Sequence, residues 1–207
     1  MQFPLFLLLL FCALFARASC MDEETDWALE KSSQQVSVYG RQKADYYEIM
    51  ATVRVQASPV DFLTLLRNTE KGPQWIHNAS QITLIDQPDP QTDLVHTVFD
   101  SPWPFRDRDM VTLSRIHENV AQGELRIDIT DASTRILASA DHVRMQQIRG
   151  IWRLRTTKRY TQICYQGSGH AGGNIPDWLA RSLLVSGTYK SFSQLAEILG
   201  RYQPKKN

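Results

Sequence analysis

Ile175-Pro-Asp-Trp-Leu-Ala-Arg-Ser-Leu-Leu-Val-Ser-Gly-Thr-Tyr-Lys-Ser-Phe-Ser-Gln-Leu-Ala-Glu-Ile-Leu-Gly200 is the stretch that decides the fold. It predicts one long helix. Pro176 stands in the first turn, where a missing N–H costs nothing, and Gly172-Gly173 just before it lets the chain turn sharply. Ile175, Trp178, Leu179, Leu183, Leu184, Val185, Tyr189, Phe192, Leu195, Ile198 and Leu199 surround nearly the whole circumference. A helix that is apolar all round needs cover on more than one side.

That cover has to come from upstream. Strand-like segments follow one another at 82–86, 94–99, 110–116, 125–129, 143–154 and 160–165, separated by turn chemistry such as Gln87-Pro-Asp-Pro90 and Gln122-Gly123. Short connections without intervening helices predict an antiparallel meander. Further upstream, 36–39 and 46–56 read as a hairpin. Ser58-Pro59 reads as the N-cap and first position of a helix carrying Phe62, Leu63, Leu65 and Leu66. The acidic stretch 22–35, with Trp27 and Leu29, reads as a helix leading into the hairpin. The expected fold class is α+β, a curved antiparallel sheet of about eight or nine strands wrapped around the C-terminal helix. Such a wrap leaves volume that side chains or a ligand must fill.

The head of the chain is a different kind of segment. Of its first 18 residues 15 are hydrophobic, and the run from Phe3 to Phe15 is almost unbroken. A bilayer-spanning helix needs about 20 residues, so this run is too short. Ala16-Arg17-Ala18 supplies the A-x-A pattern of a signal peptidase site, and polar, acidic residues follow it. The expected organisation is a signal peptide over 1–18, cleaved after Ala18, and one domain over 19–207. The expected compartment is a bacterial periplasm. Cys20 and Cys164 then remain in an oxidising environment where a bridge between them is open, while Arg17 disfavours lipidation of Cys20. Asn78-Ala79-Ser80 fits the N-glycosylation pattern, which matters only in a eukaryotic secretory route.

The 207 residues are 43% hydrophobic and 22% charged, with Lys+Arg 23 against Asp+Glu 22, which excludes disorder and coiled coil. Balanced charge also argues against a nucleic-acid partner, whose phosphates demand excess cation. Loss of Arg17 brings the formal charge to zero. The cations cluster locally, at Arg144, Arg149, Arg153, Arg155, Lys158 and Arg159, in a pattern typical of a solvated strand face.

Trp103-Pro-Phe-Arg-Asp-Arg-Asp-Met-Val111 resembles the segment with which START domains, the lipid-transfer domains related to the steroidogenic acute regulatory protein, enter a central strand. Other pieces fall in the family's order: Val36 to Tyr39, Ala57-Ser-Pro-Val-Asp-Phe62, Gln74-Trp75, Val143-Arg144 with Gly150, and Gly172-Gly-Asn-Ile-Pro-Asp-Trp-Leu179. The resemblance implies the helix-grip fold of the birch-pollen-allergen-like superfamily, closed around a hydrophobic cavity. It further implies binding, with transfer or sequestration, of one lipid by a monomer that contacts membranes transiently and needs no cofactor. Arg108 and Asp109, adjacent on a strand, must point to opposite faces, and whichever faces inward needs a partner there.

Strand alternation and the helix face nominate Val98, Met110, Thr112, Ser114, Ile127, Ile129, Ile148, Trp152, Leu179, Leu183 and Val185 as ligand-lining residues. Each of these residue types would equally serve as plain core. Sterol-binding members of the family place an Arg near Ser114, and Arg115 and Arg149 are the cations nearby that are left to substitute for it.

No catalytic or metal-binding residue is expected. The five histidines lie about 20 or more residues apart, without local zinc spacing, and no GxSxG elbow occurs. Asp141-His142 and His170 are isolated acid–base candidates. Gly167-Ser-Gly169-His-Ala-Gly172 satisfies GxGxxG, but no return strand follows to complete a dinucleotide unit. The alternatives to lipid binding are a cyclase or hydrolase of the same superfamily acting on an apolar substrate, and a ligand-free scaffold.

Overall fold

The computed structural model describes residues 26–200. Ten strands form one sheet: β1 (Ala28–Ser32), β2 (Val36–Gln42), β3 (Tyr47–Val55), β4 (Ala79–Asp89), β5 (Thr92–Phe99), β6 (Arg108–Asn119), β7 (Glu124–Asp131), β8 (Val143–Arg144), β9 (Gln146–Thr156) and β10 (Thr161–His170). Helix α1 (Pro59–Arg67) links β3 to the β4 half, and α2 (Asp177–Gly200) ends the described chain. The spatial order is β1-β2-β3-β10-β9-β7-β6-β5-β4. The sheet is therefore not a plain meander, since β3 pairs with β10 and the chain crosses to the far edge through α1. Two-residue β8 pairs in parallel with β6, where β7 has already ended.

The expected helix over 22–35 is not formed within its described part. Residues 28–32 instead pair with β2 as an edge strand, bulged between Leu29 and Lys31, and Leu29 is 59% exposed. The stretch has too few apolar residues to seat a helix. A free β2 edge offers it a backbone ladder that local propensity does not foresee. Trp27 packs beneath the Arg41 guanidinium at 4.3 Å and joins Met50, Cys164 and Tyr39 on the convex face.

Helix α1 is built as its sequence directs. Ser58 Oγ accepts the Asp61 N–H at 3.2 Å, and the Asp61 carboxylate accepts the Ser58 N–H at 2.9 Å, closing a capping box. Phe62 thereby enters the core fully buried and packs on Trp152, with ring centroids 5.0 Å apart. Trp152 also stacks on Phe192 of α2 at 5.6 Å and 9°. Helix α2 rests on β1, β2 and β3, with Val185, Phe192, Leu195, Ala196 and Leu199 buried. Its apolar circumference is not covered throughout, for Trp178 in the first turn is 71% exposed.

Candidate functional site

Register assigns each lining candidate to a face. On β6, Met110, Thr112 and Ser114 share the concave side with core residue Ile116, which pairs with Ile127 of β7. Ser114 pairs with Ile129, Ile127 with Trp152, and Ile129 with Gly150 of β9, so these lie on the same side. Ile148 is there too, two residues from Gly150. Leu179 and Leu183 are half-buried on the first turns of α2, and Val185 is buried in the same core as Trp152.

Val98 is the exception. It pairs with Asp109, whose carboxylate is held on the convex face by Arg144 at 2.8 Å and His96 at 2.8 Å. Val98 therefore lies behind the sheet and does not line the concave wall. Alternation alone left the face of β5 open, and its register with β6 decides it. The same parity sends Arg115 and Arg149 to the convex side, because Arg149 pairs with Thr130 and Arg115 with Asp128. Neither substitutes for a cation at Ser114.

The structure adds residues that the sequence reading missed. Tyr165 pairs with Trp152 and Gly167 with Gly150, placing both partners of each pair on the concave wall together with Gly169. A Cβ on Gly167 would stand 2.4 Å from the Tyr165 hydroxyl oxygen, and one on Gly150 3.0 Å from it. The Tyr165 ring thus lies over bare backbone and makes no hydrogen bond through its hydroxyl among the described residues. Burial alone pushes that hydroxyl up to about 12, yet the residue keeps some accessible surface. Met110, Ser114 and Ile129 are half-buried in the same region. The available signal was Tyr165-x-Gly167-x-Gly169, a period-two pattern on one strand face. The GxGxxG reading of these glycines fails for the same reason, since Gly167 sits in mid-strand rather than at a strand-to-helix turn.

The carboxylates of the concave wall are engaged in holding the structure. Asp93 of β5 takes Arg67 of α1 in a bidentate pair, at 2.9 and 3.2 Å. Asp131, paired with Thr112, accepts the Ser133 N–H at 2.6 Å and the Ile148 N–H at 3.3 Å. Those bonds outweigh desolvation and hold its carboxyl below the ordinary value. His170 Nδ1 accepts the Gly172 N–H at 3.2 Å, fixing the turn before α2. The His142 carbonyl is bound by Arg106 at 3.4 Å, while the His142 imidazole Nδ1 is buried and makes no hydrogen bond among the described residues. Among the described residues no cluster of three metal-ligating side chains occurs. Two concavities open elsewhere, one of about 450 Å³ bordered by His117, Arg126, Arg153 and Arg155, the other of about 580 Å³ beside Arg67 and Glu70.

A curved sheet gripping a terminal helix, with an apolar wall and bare backbone between them, defines a helix-grip domain. The START domain family model matches residues 16–205, and the chain belongs to that family. An uncharacterized protein of Pseudomonas aeruginosa is 28% identical over 181 residues, spanning 83% of this chain and 87% of that one. The fold is shared with the STAR-related lipid transfer protein of Xanthomonas axonopodis, at a TM-score of 0.77 and 23% identity, covering 84% of this chain and 98% of that one. Human StAR-related lipid transfer protein 5 superimposes with a TM-score of 0.75 at 13% identity, covering 87% and 89%.

Proposed function

We propose that the chain, acting as a monomer, binds one hydrophobic lipid between its concave wall and α2 and transfers or sequesters it. Tyr165 carries this reading, because its ring lies over the bare backbone of Gly150 and Gly167 on the concave wall, the face that half-buried Met110, Ser114 and Ile129 share. Burying several hundred Å² of lipid at about 25 cal/mol per Å² yields on the order of 10 kcal/mol before entropic costs. Packing alone supplies that. The names of the two structural relatives, both lipid transfer proteins, agree with it. The carboxylates on the wall, engaged with Arg67 and with backbone amides, offer no free acid–base pair, so binding is favoured over cyclase or hydrolase chemistry.

Membrane contact is proposed at the end where α2 begins. Trp103 is 92% exposed, Leu137 97% and Trp178 71%. Their three segments are tied together there: Arg106 donates to the Ala140 and His142 carbonyls, and Val143 touches the Gly172 turn. Tryptophan favours the membrane–water boundary. Export to a periplasm rests on the 1–18 segment, which, like Cys20, lies outside the described residues. Cys164 is disulfide-bonded, in keeping with an oxidising compartment.

Extraction of the purified protein and mass spectrometry test the proposal. A stoichiometric lipid is expected. Recovery of none, together with no uptake of fluorescent fatty acid, phospholipid or sterol, overturns it. Cell fractionation tests the compartment separately.

A further inference from the structure

We propose that Arg108 forms an oxyanion site for the head group of the bound lipid, a carboxylate or a phosphate. The inference rests on the lipid-binding reading above and extends it to the chemistry of the polar end.

Arg108 pairs with Phe99 on β5 and Val143 on β8, on the side of the sheet opposite Asp109. It therefore faces the concave space, at the end of β6 nearest the start of α2. Only 8% of the residue is exposed. Neither sequence neighbour forms an ion pair with it, although the charge of Asp107 acts on it from nearby. Asp109 is taken by Arg144 and His96 on the convex face, and Asp107 accepts the Ser101 N–H at 2.8 Å. Among the described residues no carboxylate pairs with Arg108.

The guanidinium is used on one edge only. Nη1 donates to Ser101 Oγ at 3.0 Å and to the Arg106 carbonyl at 2.5 Å, while Nε is buried with no acceptor. Two other arginines of this chain show what the Nε–Nη2 edge is for. Arg67 presents it to Asp93, and Arg144 presents it to Asp109. That edge matches the two oxygens of a carboxylate or phosphate as a fork. In Arg108 it is the edge left over, and Nη2 lies 3.8 Å from where a Cβ of Gly173 would stand. The Gly172-Gly173 turn, both residues at positive φ, roofs the guanidinium.

From Arg108 to Ser114 the concave side of β6 runs roughly 20 Å at the strand rise. Met110 and Thr112 lie between, and Ile129 pairs with Ser114. A long acyl chain headed by an anion fits that succession, with its charge at Arg108 and its tail toward Tyr165.

The bland role for Arg108 is to pin residues 101–106, and the test separates the two. Binding to the purified protein is measured by calorimetry for a long-chain fatty acid, a lysophosphatidate and the fatty alcohol of equal chain length, with inorganic phosphate alone as a further arm. Wild-type protein is expected to favour the acid or the lysophosphatidate over the alcohol by about tenfold or more, the scale of charge-assisted bonds. Arg108→Gln should remove that preference, and circular dichroism with thermal unfolding shows whether the variant folds. If Arg108→Gln does not fold, Arg108→Lys, which keeps the charge but not the fork, should lower the preference. An unchanged preference in the folded variants, or none in wild type, overturns the site. Arg108-dependent binding of inorganic phosphate without lipid, and no preference among the lipids, overturns the head-group assignment. Failure of every lipid, the alcohol included, to bind wild type instead overturns the lipid-binding reading itself.

Discussion

Arg181 of α2 and Glu30 of β1 form an ion pair at 2.5 Å that ties the opening turns of the terminal helix to the edge of the sheet. Tyr47 donates its hydroxyl to the same Glu30 oxygen at 2.7 Å, and its ring lies under the Arg181 guanidinium at 4.6 Å. In the proposed lipid-binding function, the cluster sits where a movement of this end of α2 would open the concave side, the position of a latch.

The Tyr47 bond, and then Arg181, hold the Glu30 carboxyl below its ordinary value of 4.5 despite some desolvation. A depressed acid stabilises the fold above its unfolded pKa, and that contribution is lost as pH falls through the folded value. Burial and then Glu30 push the Tyr47 hydroxyl up to about 12, so its contribution holds at pH below 10 and disappears as pH rises toward 12. Glu30→Gln is expected to speed lipid exchange several-fold near neutral pH while costing about 1 kcal/mol or less, since the pair is partly exposed. Stopped-flow release of a fluorescent lipid, beside thermal unfolding, checks both. Lowering the pH of wild type through the region below 4.5 should raise the release rate in the same direction.

Asp109 is almost completely buried and held by Arg144 and His96, and Arg144 also donates to the Ser133 and Ile136 carbonyls. The network staples the segment between β7 and β8 to the back of β6. Asp109→Asn leaves a buried guanidinium without its counter-charge and should cost about 3–5 kcal/mol in chemical denaturation. A loss below about 1 kcal/mol contradicts the staple.

Trp103 and Trp178 bury little and are expected to contribute nothing to stability beyond about 0.5 kcal/mol. Changing both to Ala should slow vesicle-to-vesicle transfer of lipid several-fold, with lipid capacity and melting temperature unchanged. Equal transfer rates would remove the proposed membrane contact.

Gly167→Ala inserts a methyl where the Tyr165 hydroxyl already lies, and the ring must shift on the concave wall. Overpacking of this kind costs about 1–3 kcal/mol. The variant should take up less of a bulky lipid than of a slender one, measured as the ratio of bound sterol to bound fatty acid against wild type.

What could be read from the chain followed from how local the deciding physics is. The α1 N-cap and the α2 turn are written in contiguous residues, Ser58-Pro59 and Gly172 to Pro176, and both form as expected, the cap closing further into a box with Asp61. β1 was not legible, because its strand state comes from the edge of β2 and not from its own residues. Val98 shows a second limit: alternation gives two faces but not their labels, and one residue of register exchanges them. Most of the lining candidates fell on the concave wall because they share parity with core residues Ile116, Ile127 and Trp152. The glycines of that wall were hidden by their likeness to a phosphate loop. The chain showed only that one of Arg108 and Asp109 needs an inward partner, not that it is Arg108 or that half of its donors are unused.

α2 is seated on β1, β2 and β3, whereas Met110, Ser114 and Ile129 belong to β6 and β7. The two halves of the sheet therefore face different selective demands. In the proposed lipid-binding function, residues beneath the helix serve its seat, while those on the far half meet the ligand with their size and polarity. Diversification of cargo in such a domain should be recorded as substitutions on β6 and β7 beside a slowly changing β2 and β3.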